Sequence, residues 1–249
     1  MESERHFDIF GITLLNNDLG YLLAFIEESL EQNKRVSFAT PNIDHFVRIE
    51  KNTKVKRVYQ SIDYCVNDSR IFSLIIKFLF GTTVKTVTGS DLTAYLFNSN
   101  VINNKQITIV GSKEEEIRRL SYIYNLDLGL ISHINPSMNF INDDLEVKRT
   151  LEFVVNSKPA LIFLAVGSPQ QEILAANIQR EIDHGVILCV GASIDYLTGK
   201  ERRAPRFLQV MHLEWLFRFA QAPVKRFKRY FVNCPQIIYY VLRERLKAK

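Results

Sequence analysis

The chain has 249 residues, a formal net charge of +5, 47% hydrophobic residues and three cysteines, enough for one large or two small domains with a real core. Cys65, Cys189 and Cys234 are widely spaced without a CxxC pair, the start MESERHFDIF lacks a signal-peptide core, and no apolar run reaches transmembrane length. These features exclude a disulfide framework, a secretory leader and a spanning helix, and they predict a cytoplasmic protein whose membrane contact is confined to its surface.

The predicted elements alternate between strand and helix. Phe7 to Leu14 reads as a first strand and Leu19 to Gln32 as a helix. Arg35 to Ala39 is a short strand ending at Thr40-Pro41-Asn42, and Ile43 to Asn52 a helix. Tyr64 to Val66 is a short strand ending at Asn67-Asp68-Ser69, and Phe72 to Phe80 an apolar helix. Gly89-Ser90-Asp91 opens another helix, with Ser90 or Asp91 as its cap. Gln106 to Val110 is a strand followed by a charged helix from Lys113 to Tyr124, and Leu128 to Ile134 is the next strand. A helix over Asp144 to Asn156, a strand over Ala160 to Val166, a helix over Gln170 to Gln179 and a strand over Val186 to Val190 complete the body. The last fifty residues read as mostly helical. This alternation predicts an α/β fold, a Rossmann-like, mainly parallel sheet, with a basic helical C-terminal appendage. The composition shift near Thr198 divides the chain into a body, 1–198, and an appendage, 199–249.

Charge follows that division. Lys200 to Lys249 carry 13 Lys/Arg against 3 Asp/Glu, whereas the preceding residues carry 19 against 24. Such a segment suits nucleic acid, an anionic membrane, a phosphorylated ligand or a solvated helix. Its cations are Arg202, Arg203, Arg206, Arg218, Lys225, Arg226, Lys228 and Arg229, interleaved with Phe207, Trp215, Phe217, Phe219, Phe227, Tyr230 and Phe231. Arginine forks match phosphate oxygens. The aromatics suit headgroup depth at a lipid surface or the appendage's own core.

Three glycine turns, Val110-Gly111-Ser112, Val166-Gly167-Ser168 and Val190-Gly191-Ala192, each follow a predicted strand. Ligands of open α/β sheets bind at the carboxyl ends of strands, where glycine permits close backbone approach. None is a GxGxxG or a P-loop, so a dinucleotide or ATP site is not indicated. Asp195 beyond the last strand can accept from ribose hydroxyls or cap a turn. Gln171 and Glu172, in the first turn after Gly167, can read a base or sugar or simply favour a helix start. Thr40 and Asp68 both follow short strands. An aspartate there can serve as general base with Thr40 orienting it or the substrate, although both stretches are also ordinary turn sequences. The histidines form no HxxxH or HExxH, and there is no Asp-x-Asp. No metal or other cofactor is therefore expected, and the charge of a nucleotide diphosphate falls to arginine and lysine.

Four blocks, Ala165-Val-Gly-Ser-Pro-Gln-Gln-Glu172, Val190-Gly-Ala-Ser-Ile-Asp195, Gly199 with Arg203-Ala-Pro205, and Leu213-Glu-Trp-Leu-Phe-Arg218, resemble the WecG/TagA/CpsF family of bacterial glycosyltransferases. Weaker matches lie at Thr40-Pro-Asn42, Asp68 and Gly89-Ser-Asp-Leu92, so the resemblance covers nearly the whole chain. It implies an inverting, metal-independent transfer from a UDP-sugar to a lipid-linked, polyprenyl-diphosphate saccharide in cell-surface polysaccharide biosynthesis. It places the protein peripherally on the inner membrane face and leaves the oligomeric state open, a homo-oligomer included. Asp68 matches the base and Thr40 its neighbour, and Gln171 and Asp195 match nucleotide-sugar contacts. Arg218, with Lys225 and Lys228 or Arg229, matches cations near the diphosphate. With Asn42, Gly111, Gly167, Glu172, Gly191 and Arg203 these residues make up the expected binding set.

In the displacement this implies, backbone N–H groups near Gly167 and Gly191 help the cations meet the charge of departing UDP, and the appendage closes over the site at the membrane. The chain departs from the family pattern at Ser69, where glycine is usual, at Asn67, where proline is frequent, and at Ala222, where glutamate is frequent. Lys225 and Lys228 stand where some relatives have arginine. The alternative from another class is a non-catalytic nucleic-acid-binding α/β protein that uses the basic segment, but no RNP-type motif supports it.

Overall fold

The computed structural model describes residues 5–201, 204, 205, 208, 211 and 213–247, apart from the Lys225 side chain. Among these, one sheet contains β1 (His6–Ile9), β2 (Ile12–Leu15), β3 (Arg35–Ala39), β4 (Tyr64–Cys65), β5 (Ile107–Val110), β6 (Ile131–Ile134), β7 (Leu161–Leu164) and β8 (Gly185–Cys189). Their order is β1-β2-β4-β3-β8-β7-β5-β6. The β1–β2 pair is antiparallel and the other pairings are parallel. The fold is the expected Rossmann-like α/β arrangement.

Both faces of the sheet are covered, so its central strands are continuous apolar runs rather than alternating ones. Leu161 and Phe163 of β7 enter one core with α1 (Leu19–Glu31), α5 (Gly89–Asn98) and α6 (Glu114–Tyr124). Ile162 and Leu164 enter the other with α2 (Ile43–Lys51), α3 (Thr53–Ser61), α4 (Arg70–Phe80), α7 (Asp144–Asn156) and α8 (Gln170–Glu181). Burying each such side chain is worth roughly 1.5–3 kcal/mol. Cys65 and Cys189 are core thiols, as their apolar surroundings predict.

The register positions the site. Ile134, Val110, Leu164, Cys189, Ala39 and Cys65 pair in one row across six strands. The loops that follow leave from one edge, which gathers Thr40, Asp68, Gly111, Gly167 and Gly191. After β3 the chain enters α2 on one face, and after the adjacent β8 it enters α9 (Ser193–Leu197) on the other. A crevice opens where neighbouring connections diverge in this way.

The described part of the last fifty residues is mostly helical, as predicted, with α10 (Glu214–Gln221), α11 (Pro223–Phe227), a wide turn over Lys228–Asn233 and α12 (Gln236–Lys247). Trp215, Phe219, Tyr230 and Phe231 pack ring to ring, the Phe219–Phe231 centroids 5.1 Å apart. Trp215, Phe219 and Tyr230 are half-buried in this cluster, whereas Phe227 and Phe231 stay exposed at its edge. Ile237 and Val241 of α12 are buried against α2 and α4. Two buried carboxylates of α2 fasten the appendage: Asp44 lies 3.6 Å from Arg229, and Glu50 pairs with Arg243.

Three predicted elements are corrected, and one helix was missed. The stretch Phe7–Leu14 is a hairpin, not one strand. Phe10 and Gly11 take φ of 57° and 71°, the paired left-handed geometry of a tight hairpin turn, and the Phe10 ring is buried against Phe46 and Phe72. Helix α3 was not anticipated because TKVKRVYQS is polar apart from Val55, Val58 and Tyr59, which share one face at i, i+3 and i+4 and of which only Val55 and Tyr59 are buried. The cap of α5 is Thr88, whose hydroxyl accepts from the Asp91 N–H at 3.0 Å, rather than Ser90 or Asp91. The strand expected from Leu128 begins at Ile131, after a 3-10 turn.

Glu50→Ala strips Arg243 and Lys56 of a nearly buried carboxylate. It is expected to cost about 1–3 kcal/mol, below the figure for a fully buried pair because Arg243 keeps water contact. Arg118→Ala, which breaks an exposed pair with Glu114, is expected to change stability by less than about 1 kcal/mol. Urea unfolding measures both, and hydrogen exchange should rise along 236–247 in the first variant alone.

Candidate active site at the carboxyl edge of the sheet

Two cavities meet in the crevice. One, of about 340 Å³, is polar, with Thr40, His45, Gln171, Gly191, Tyr196 and Arg226 in its wall. The other, of about 330 Å³, is an apolar groove between α4 and the appendage, lined by Ile71, Ile75, Trp215, Ile237 and Ile238. Asn42, Asp68, Arg218, Arg229 and Tyr230 border both.

Asp68 is held by its loop. Its N–H donates to Pro41 O at 2.9 Å, fixing the β4 loop to the β3 loop. Asn67 is 1% exposed, and its amide donates to Ser73 Oγ at 2.8 Å and to the Lys85 and Ser69 carbonyls. Ser69 has an extended φ of −138° and caps α4, its hydroxyl accepting from the Phe72 N–H at 3.2 Å. Burial pushes the Asp68 carboxyl up to about 7; Arg218 and Arg229 oppose the shift, while Glu214 and Asp91 add to it. Such a group is poised for proton transfer near neutral pH.

The cations come from the appendage. Burial opposes the charge on Arg218, yet Tyr196 and Asp68 more than offset this and raise its pKa. Its guanidinium stacks 5.0 Å from the centroid of the Tyr196 ring. Arg226 donates to Arg218 O at 2.5 Å and lies 3.4 Å from Glu201. Arg229 donates to Asn42 Oδ1 at 3.4 Å, and the same oxygen caps α2 through the Asp44 N–H. Arg218, Arg226, Arg229 and Arg243 thus turn inward onto the cavity or onto buried acids.

Of the expected set, Thr40, Asn42, Asp68, Gly167, Gln171, Gly191, Arg218 and Arg229 line the polar cavity. Thr40 donates to Cys189 O at 3.2 Å, bridging the diverging strands. Other members do not line it. Glu172 is wholly buried behind the wall, its Oε1 accepting from Tyr59 at 2.9 Å and Gln171 at 2.8 Å, so it supports the site rather than touching substrate. Asp195 accepts from Ser112 Oγ at 3.3 Å and Lys200 Nζ at 2.9 Å, tying the β5 and β8 loops together. Gly111 is required by packing: at its φ of +101° an added Cβ would sit 2.7 Å from Ala165 O. Lys228 is exposed on the outer side. Arg202, Arg203, Arg206, Phe207, Lys249 and the Lys225 side chain lie outside the described residues. The Gly191 N–H, expected to face a diphosphate, is instead taken by Gln171 Oε1 at 2.9 Å.

Sequence reasoning missed His45, Ser90, Ser193, Tyr196, Glu201, Arg226 as a wall residue, and Tyr230. The available signals were the spacing of His45 three residues from the cap Asn42, and the neighbouring position of Tyr196 beside Asp195.

A family model for the glycosyl transferase WecG/TagA/CpsF family matches residues 7–249. The chain belongs to this family. Among curated proteins it is similar to an N-acetylglucosaminyldiphosphoundecaprenol N-acetyl-beta-D-mannosaminyltransferase of Bacillus spizizenii, 25% identical over 240 residues that span 96% of this chain and 91% of the relative.

The Ser69 cap has a measurable weight. Ser69→Ala is expected to lower stability by about 1 kcal/mol and Ser69→Gly by a few tenths, since glycine tolerates a cap position. Urea unfolding distinguishes the two. A larger loss in Ser69→Gly would contradict the extended, unstrained backbone at this position.

Proposed function

We propose that this glycosyltransferase moves a sugar from a UDP-sugar to a saccharide carried on a polyprenyl diphosphate, by an inverting, metal-independent displacement at the inner membrane face. One observation carries the reading: Asp68 stands where a polar, arginine-lined cavity meets an apolar groove. The cavity suits a nucleotide diphosphate and the groove suits a lipid tail. The Bacillus relative is named for mannosaminyl transfer to such a diphospholipid, which favours N-acetylmannosamine as the first donor sugar to test.

In this mechanism Asp68 takes the proton of the acceptor hydroxyl as its oxygen bonds to the anomeric carbon. The bond from that carbon to the diphosphate oxygen breaks on the opposite side, and UDP leaves with the electron pair. Arg218, Arg226 and Arg229 meet the developing charge, the role a metal has in other nucleotide-sugar enzymes. Residues 1–198 act as the donor-binding body and 199–249 as a basic cover that docks on the membrane. No helix among the described residues is long and apolar enough to cross a bilayer. Exposed Val224, Phe227, Ile238 and Tyr239 suit insertion at headgroup depth.

Transfer is assayed in EDTA with UDP-N-acetylmannosamine and a polyprenyl-diphosphate N-acetylglucosamine acceptor. Wild-type turnover should persist. Asp68→Asn should abolish it, and Arg218→Ala should lower kcat by about two to three orders of magnitude, the scale of one electrostatic donor. Near-full activity in Asp68→Asn would sink the base assignment.

The pH profile gives a separate test. The base acts only when ionised, and burial raises its pKa to about 7. Below that value kcat/KM should fall about tenfold per pH unit, and above it level off. A plateau extending down to pH 5 would contradict an elevated Asp68.

A further inference from the structure

Beneath the polar cavity lies a buried hydrogen-bond network that the displacement does not use. Its proton positions can be worked out in sequence. The Gly191 N–H can only donate, so the Gln171 atom it meets at 2.9 Å is the amide oxygen, and the Gln171 amino group faces Glu172 Oε1 at 2.8 Å. That oxygen accepts, and the Ser168 hydroxyl joins the network 3.2 Å from the Tyr59 oxygen. The Tyr59 hydroxyl, 2.9 Å from the same Oε1, therefore donates to it. Its single proton is then spent, and the His45 Nδ1 that lies 3.1 Å from the Tyr59 oxygen must be the protonated one. A neutral imidazole with a proton on Nδ1 has a bare lone pair on Nε2.

His45 is a wall residue of the polar cavity, on the same face of α2 as Asn42. Burial, with Arg229 and Arg48 nearby, holds its pKa well below the usual histidine value, so the ring stays neutral. Nε2 has no partner among the described residues. Arg218, Arg226 and Arg229 of the same wall only donate and suit phosphate oxygens, whereas a bare Nε2 accepts and suits a hydroxyl or amide hydrogen, alongside the oxygens of Asp68 and Glu201. We propose that His45 is a donor-specificity residue, its Nε2 accepting a hydrogen bond from a hydroxyl or amide N–H of the transferred sugar, with Tyr59, Glu172 and Gln171 locking the tautomer. The sugar is the part of the donor that falls between the Asp68 carboxylate and the diphosphate-binding arginines. This inference rests on the UDP-sugar reading above.

The test compares His45→Gln, His45→Asn and His45→Ala in full-length protein. A glutamine amide oxygen reaches the place of Nε2. An asparagine amide reaches only the place of Nδ1, so it can still bond Tyr59 but offers the sugar nothing. For UDP-N-acetylmannosamine, kcat/KM should fall about tenfold in His45→Asn and His45→Ala and stay within about threefold in His45→Gln, the scale of one neutral hydrogen bond. The inhibition constant of UDP should move by less than about twofold in all three, because UDP lacks the sugar. Thermal melting verifies folding, and His45→Asn keeps the test decisive if the alanine variant is unstable. Unchanged kcat/KM in His45→Asn, or a parallel weakening of UDP itself, overturns the assignment while leaving the transferase reading intact. Failure of the wild type to turn over UDP-N-acetylmannosamine, UDP-N-acetylglucosamine and UDP-glucose overturns that reading and this inference with it.

Discussion

Strands β3 and β8 are hydrogen-bonded neighbours that end level with each other, yet the helices following them leave for opposite faces of the sheet. A gap must open between the two connections, and the backbone groups at its lips would be orphaned without partners. The chain satisfies them across the gap. Thr40 donates to the Cys189 carbonyl, and Gln171 accepts from Gly191. Helix α5 closes one side so tightly that a Cβ on Gly89 would stand 3.0 Å from the Thr40 hydroxyl oxygen. The crevice is therefore set by its own bonds before any donor arrives, which is the form of preorganisation that lowers the cost of binding.

Around this crevice the enzyme buries several carboxylates, and what distinguishes them is how completely each is compensated. Asp44 has Arg48 and Arg229, and Glu50 has Lys56 and Arg243. These acids are held as counter-charges, and two of their partners, Arg229 and Arg243, bind the appendage to α2. Asp68 has Arg218 and Arg229 in its field but no direct ion pair among the described residues, while Glu214 and Asp91 push the other way. Its desolvation is left partly uncompensated, and that is the condition under which a carboxylate becomes basic enough to take a proton from a hydroxyl. Arg229 both lies beside Asp44 and lines the cavity, so the contact that holds the appendage to α2 also places a cation in the candidate site.

Much of this was legible in the sequence, for physical reasons. Strands buried on both faces announce themselves as apolar runs, and glycines mark where they turn, so β5, β7 and β8 and the edge that collects their loops could be read directly. Asp68 and Thr40 followed from their places at the ends of short strands, and Arg218 from the basic segment and the resemblance. What could not be read depended on contacts distant in sequence. Glu172 looks like a first-turn acid available to a ligand, and only the approach of Tyr59 from α3 shows that it is enclosed. Gly111 looks like a ligand-binding turn, but the nearness of Ala165 O explains it fully. Helix α3 hid because its three apolar residues, Val55, Val58 and Tyr59, span barely one helical turn amid polar neighbours, and the Phe10 turn hid because a left-handed phenylalanine has no local signature.

The departures at Asn67 and Ser69 from the usual proline and glycine can be judged on the same physical terms. A proline before the catalytic aspartate stiffens a loop through its ring, by fixing φ. Here Asn67 stiffens the same loop through its side chain, which reaches Ser69, Ser73 and the carbonyl of Lys85. Glycine after the aspartate would be needed only if the backbone entered the left-handed region, and at Ser69 it does not. The serine instead supplies a cap to α4, the helix whose Ile71 and Ile75 line the apolar groove. The two substitutions therefore move the source of rigidity from backbone to side chain and keep Asp68 in place. Because the same bonds also set the start of α4, they couple the position of Asp68 to the wall of the apolar groove.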